Sequence, residues 1–294
     1  HMTDVDFVII NAILNTYNNL PFHNLYHVLD VMHLAAILLR QWNHYASMNK
    51  HEKKLFLFIA IGHDAGHDGR TNSEHALMFE SIHSYDDLQS KTIDLHESYD
   101  GSVTSDTGSY NEKMHTDLLC SILRKNKCST TSLNIHKFIL MTDLRQQESF
   151  LHAMEKNREW EQILILKLAD VGHVLRPRKV HTRFVNALLM ETYKPFNRIE
   201  KAQDTIKFNE TIVHPLLKQY ESCCVNSSEL FTAYEEQING WKFKINVEWY
   251  TVMHLCNSIL ILIVVLLFLF FGNCSEYFEY KRNKNDHDEL EYAF

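Results

Sequence analysis

His63 and Asp64 stand side by side in the stretch Ile61 to Gly69, IGHDAGHDG, and His67 follows one helical turn after His63. Adjacent imidazole and carboxylate ligands can point at one cation, and the carboxylate keeps a second oxygen for another, which is the chemistry of a two-metal centre. The ordinary alternative is a polar group satisfied inside a core. The preceding run LFLFIAI argues for the metal, because an uncharged, burying helix delivers the pair to a place where charge is costly unless paired or coordinated. Upstream, His23 and His27 are four apart on a helix predicted from Phe22 to about Tyr45, with Asp30 and Leu34 on the same face. Downstream, WEQILILKLADV from Trp160 to Val171 is another apolar-centred helix, ending in Ala169-Asp170, and a single metal could collect both acidic groups.

These residues are carried by a chain that reads as helical throughout. Of 294 residues 45% are hydrophobic, only 4 are Pro and 8 Gly, and no strand pattern appears, so the fold class is all-α, a compact multi-helix domain. Further helices are expected at Asp4 to Tyr17, Glu52 to Gly62, Glu74 to Ser84, Glu112 to Arg124, Leu133 to Leu144, Glu148 to Asn157, Lys179 to Tyr193 and Lys201 to Gln219, and the region Phe231 to Trp241 closes the domain. SYDGSVTSDTGSY reads as a mobile surface loop. The balance of 29 basic and 37 acidic residues, −8 in all, argues against a general nucleic-acid surface and for a small-molecule substrate. The six cysteines show no metal-finger spacing, a pattern of reducing compartments. His1-Met2 reads as a cloning scar that replaces the natural N-terminus.

Taken in order, His27, His63-Asp64 and Asp170 form the H…HD…D set of HD-type metal phosphohydrolases. The context narrows this. FHNLYHVLDV from Phe22 to Val31 resembles the Y/F-H-N-x-x-H-x-x-D-V motif of class I cyclic nucleotide phosphodiesterases, and HDAGHDGRTN from His63 to Asn72 is similar to that family's H-D-x-x-H-x-G-x-x-N. Ser73 to Phe79, Thr142-Asp143, Lys167 to Asp170 and Ile212 to Leu216 resemble its S-E-L-A-L-x-Y, T-D, K-A-D and I-V-H-P-L segments. These six motifs, in the family's order, lie between about Leu20 and Trp241.

The resemblance implies hydrolysis of cAMP, cGMP or both to the 5'-monophosphate. It implies that His27, His63, Asp64 and Asp170 hold a first metal, zinc, with Asp64 or a bridging hydroxide reaching a second, magnesium or manganese. The hydroxide is then the nucleophile and His23 the general acid that protonates O3'. His67, Asp86 and Thr142 match positions that hold waters of the second metal, and Asp30 is a candidate support for His27. Phe208 and Leu188 match the two apolar faces of the base clamp. The family's pocket glutamine falls on Thr205 here, with Gln203 two residues earlier as the other candidate, and His173 stands where the family has Asn. A non-catalytic relative that binds nucleotide, and a broader HD-type nucleotidase, are the competing readings.

These assignments place the catalytic domain at residues 3–245, a hydrophobic or transmembrane anchor helix at 249–272 and a polar tail at 273–294. The anchor rests on Ile259 to Phe271, ILILIVVLLFLFF, which extended back to Val252 reaches a spanning length of about 20 residues. A membrane-associated protein with its catalytic domain in the cytosol is expected, a soluble cytoplasmic one being the alternative. In that alternative the run is a buried terminal helix or a strip for homodimer formation.

Overall fold

The computed structural model describes residues 3–83, 108–153, 157–192, 197–224 and 227–291, and of residues 79–83 and 264–291 the backbone only. Asp86 and most of the expected surface loop lie outside these residues. Among the described residues the regular structure is helical, with one isolated antiparallel bridge between Trp42 and Cys224. The chain divides into two compact units, His1–Trp241 and Lys242–Phe294.

In the first unit, α1 (Asp4–Leu14), α2 (Leu25–Gln41), α3 (Lys50–Gly62) and α4 (Asn72–His83) precede α5 (Tyr110–Lys125), α6 (Ile135–Leu140) and α7 (Gln147–Ala153). Then come α8 (Arg158–Asp170), α9 (Arg178–Glu191), α10 (Arg198–Phe208) and α11 (His214–Glu221), and α12 spans Ser228–Glu291. The starts are set by side chains that satisfy free helix N–H groups. Asn24, Asn49, Asn157 and Asn197 accept from the first turns of α2, α3, α8 and α10, and those of α3 and α10 are capping boxes closed by Glu52 and Glu200.

Helix α2 packs against α3 and α8 through Val28, Val31 and Leu38, Phe56 and Ile59, and Leu164 to Leu168, all buried. These three helices carry the HD-type residues, so the best-packed part of the protein is also the part that positions them. Tyr220 of α11 ties onto α2 by donating to Leu38 O at 2.8 Å.

Two expectations change. Helix α2 starts at Leu25, because Asn24 is its cap, so His23 lies in the lead-in turn and not on a helical face with His27. The single helix expected from Lys201 to Gln219 is divided by a π-helical turn at Asn209–Val213, immediately after Phe208. In the second unit Trp249, Tyr250, Met253, Leu255 and Ile259 to Ile263 are exposed. No helix among the described residues is long and apolar enough to cross a membrane, and the anchor read at 249–272 lies partly outside the described side chains.

Candidate metal centre

Three helix ends meet at the centre. His27 sits in the first turn of α2, His63 caps the C-terminus of α3 with Asp64 next to it, and Asp170 is the last residue of α8. One ligand atom from each lies within 4.8 Å of all the others. His63 Nε2 is 3.0 Å from Asp64 Oδ2 and 3.3 Å from Asp170 Oδ1, and His27 Nε2 is 3.3 Å from the same two oxygens. Donor atoms about 3.3 Å apart are what bonds of ~2.0–2.1 Å to one tetrahedral cation produce.

Two observations show that these residues fit a metal. His27 Nε2 is buried without a hydrogen-bond partner, an arrangement that is costly unless a cation takes the lone pair. His63 Nδ1 lies 2.9 Å from Ala60 O, to which it can only donate, so in the neutral ring it is Nε2, facing the carboxylates, that carries the lone pair a metal would take. The location adds to the case, because Asp64 and Asp170 both lie at helix C-termini, where the helix dipoles oppose a negative charge. Burial would raise both carboxyls. The His63 charge and the His27 and His63 contacts outweigh it and hold both below the usual carboxylate range. Burial likewise opposes protonation of His27 and His63, but the two carboxylates reverse the direction and raise both imidazoles.

The turn after Asp64 requires glycine. Gly66 has φ of 77°, and a Cβ there would stand 2.8 Å from Leu118 Cδ2. This turn brings His67 beside His23 and Glu191. His67 stacks on His23 with centroids 3.9 Å apart at 12°, and on its other side on His115 at 5.5 Å and 18°. Burial and the His23 charge push His67 down to about 4, so the ring is neutral at pH 7.

His23 lies beside His27 with centroids 5.8 Å apart. Its Nδ1 is 2.5 Å from Glu191 Oε1, while Glu191 Oε2 accepts from the backbone N–H of Phe22 at 2.7 Å and of His23 at 3.0 Å. Burial raises Glu191, but the His23 contact and these N–H groups outweigh it and pull the carboxyl down to about 2. Glu191 ends α9 and was not singled out in the sequence. An acid at the end of an amphipathic helix carries no local mark of a buried partner.

Two further groups escaped sequence reading. His115 Nδ1 lies 2.8 Å from Ala65 O and its Nε2 3.9 Å from Asp64 Oδ1. Glu112, one turn earlier on α5, accepts from Asn72 Nδ2 at 3.0 Å. Burial, with the negative charges of Asp143 and Asp64, pushes Glu112 up to about 7.

Other candidates sit elsewhere. Thr142 donates its hydroxyl to Ile139 O at 2.7 Å, and the Thr142-Asp143 turn is tied to α8 by buried Lys167, whose Nζ donates to Met141 O at 2.7 Å and Asp143 O at 3.2 Å. Asp30 pairs with Arg176 at 2.8 Å and not with His27. Beside the centre a cavity of about 490 Å³ is lined by His173, Leu188, Thr205 and Phe208 among others. The Thr205 hydroxyl is committed to Lys201 O at 2.7 Å. Gln203 is exposed on α10 and does not line this cavity.

The all-helical fold and this ligand set define a class of helical proteins that collect histidines and carboxylates at converging helix ends. The sequence pattern of the 3'5'-cyclic nucleotide phosphodiesterase family matches residues 22–233, and the chain belongs to that family. It is 23% identical over 233 residues to the cGMP-specific 3',5'-cyclic phosphodiesterase delta of Plasmodium falciparum (isolate 3D7), covering 70% of this chain and 28% of that protein. It is 22% identical over 195 residues to the cGMP-specific 3',5'-cGMP phosphodiesterase 3 of Dictyostelium discoideum, covering 63% and 40%. The chain therefore spans well under half the length of these relatives. In fold it is similar to the phosphodiesterase domain of the Salpingoeca rosetta rhodopsin phosphodiesterase, with a TM-score of 0.63, 20% identity, and 84% and 82% of the two chains covered.

Proposed function

We propose that the chain hydrolyses a 3',5'-cyclic nucleotide to the 5'-monophosphate. The observation that carries this reading is the converging set of buried His27 and His63 with half-buried Asp64 and Asp170, and an oriented imidazole, His23, at its side. Zinc and magnesium, or manganese, are the cations proposed; the four residues would hold the first, and Asp64 would contribute to holding the second. When bound, such ions supply Lewis-acid activation of water and neutralise charge on the phosphoryl group.

The chain's own groups do the remainder. Glu191 grips Nδ1 of His23, so the ring presents Nε2 in one orientation, and from there the proton goes to the departing O3'. Neutral His67 braces the His23 ring without adding positive charge. Phe208 and Leu188 hold the base in the neighbouring cavity, whose size suits a nucleotide-sized ligand. Two of the relatives above are named cGMP-specific, and both cGMP and cAMP belong in the test.

The test is phosphorus NMR of each cyclic nucleotide with the metal-loaded protein. Release of the 5'-monophosphate, abolished by chelation and restored by metal, supports the reading. A 3'-monophosphate, or turnover indifferent to chelation, contradicts it. Membrane attachment through residues 252–271 is a separate proposal. Flotation with liposomes of the full chain, but not of a chain ended after Trp241, supports it, and equal behaviour of the two contradicts it.

A further inference from the structure

The cavity beside the metal centre holds a pair of buried imidazoles that the reaction itself does not use. His173 Nδ1 lies 3.0 Å from His181 Nδ1, so one proton is shared between these two atoms, one ring donating and the other accepting. The rings are nearly parallel, at 20°, and His173 is also held by Phe184 at 5.4 Å and by the edge of Phe22 at 5.9 Å. Burial, and then the Arg178 and Lys201 charges, push His181 down to about 4, and burial with neighbouring His181 lowers His173, so both rings are neutral at pH 7.

The direction of the shared bond follows from the far side of His181. Its Nε2 is buried and has no hydrogen-bond partner. A proton there would leave a buried N–H without an acceptor, which is the rarer and costlier defect. The proton of His181 therefore sits on Nδ1, where His173 accepts it. His173, neutral and accepting at Nδ1, carries its own proton on Nε2, and the ring lines the cavity. An amide at this position could turn either its donor or its acceptor to the base, whereas an imidazole locked by a partner offers one polarity only.

Resting on the reading of this cavity as the base site, we propose that His173 selects guanine over adenine with an Nε2–H donor, and that His181 is the positioning residue that places the proton there. Guanine presents O6 and N7 as adjacent acceptors, whereas adenine has N7 alone and opposes a donor with its N6 amino group. A fixed donor on that edge finds an acceptor on guanine at either atom.

The experiment measures kcat/KM for cGMP and cAMP in the metal-loaded wild type, His181→Leu and His181→Gln, with histidine tautomers read by NMR of nitrogen-labelled protein. Wild type is expected to favour cGMP by about tenfold or more, the scale of a base-edge hydrogen bond. His181→Leu brings the ratio near one. His181→Gln, whose amide can donate to His173 Nδ1, keeps most of it. If the leucine variant does not fold, His173→Leu is expected to collapse the ratio in the same way.

A wild type that favours cAMP, a ratio unchanged in both leucine variants, or a His173 proton on Nδ1 overturns the proposal. Turnover of neither nucleotide overturns the parent reading of the site. The tautomer spectrum then decides the ring pair alone, Nε2–H on His173 upholding the assignment.

Discussion

If His23 is the acid, as proposed, Glu191 is the residue that positions it, because it fixes the ring through Nδ1 and is itself fixed by two backbone N–H groups. Glu191→Gln should lower kcat by about tenfold to a hundredfold, within the range of general acid catalysis, and leave the bound metal unchanged. The same carboxyl has a folded value of about 2 against 4.5 in its unperturbed state. Its stabilising contribution is therefore complete above pH 4.5 and lost as pH falls toward 2, and Glu191→Gln should remove that acid limb in urea unfolding. Glu112 has the opposite sign, because its folded value is about 7. In chelated protein stability should fall as pH rises from 4.5 to 7, and Glu112→Gln should abolish the decline. His27, His63, Asp64 and Asp170 were legible as candidate ligands because ligation demands particular residue types at particular spacings, and the fold brings them together. Glu191 was not, since it reaches His23 across 168 residues and only the fold joins them.

Asn24 shows how much one element boundary matters. Its Oδ1 accepts from Tyr26 N at 2.8 Å and His27 N at 3.3 Å, while its Nδ2 donates to Leu20 O at 2.8 Å and Pro21 O at 3.0 Å. One side chain thus starts α2 at the ligand His27 and anchors the turn that carries His23. Asn24→Ala should cost about 1 kcal/mol, the usual value of an N-cap, and Asn24→Asp, which keeps the acceptor but loses the two donors, should fall between it and wild type in thermal unfolding. Apolar periodicity correctly indicated a helix here, yet it ran the helix back over His23 because periodicity does not register a cap. The π turn at Asn209–Val213 was hidden for a related reason. The sequence through it stays helical in composition, and only the packing of Val213 and Leu216 against the core, with Gln147 reaching Ile212 O at 3.3 Å, marks the extra residue.

At the scale of the whole molecule, α2 packs against both α3 and α8, and the three helices bring two carboxylates and two imidazoles to one point. Such packing would be unfavourable around uncompensated charge. Chelation should therefore lower the thermal midpoint, and readdition of zinc or magnesium should restore it, a shift that grows with free metal concentration. The all-α class was legible from helical periodicity and the scarcity of Pro and Gly, and the family from six motifs in order between about Leu20 and Trp241. The base cavity was legible only in part. Phe208, Leu188, Thr205 and His173 line it as a group, but Gln203 turns to solvent, and His181, which also lines it and contacts His173, carried no mark in the sequence.

The central claim is that cations held by His27, His63, Asp64 and Asp170 enable hydrolysis of the cyclic phosphodiester. The most direct measurement compares hydrolysis of cAMP and cGMP and bound metal in wild type and Asp170→Ala. The account predicts that wild type turns over at least one nucleotide and retains metal through gel filtration, while the folded variant loses both. Turnover that survives in Asp170→Ala would contradict it.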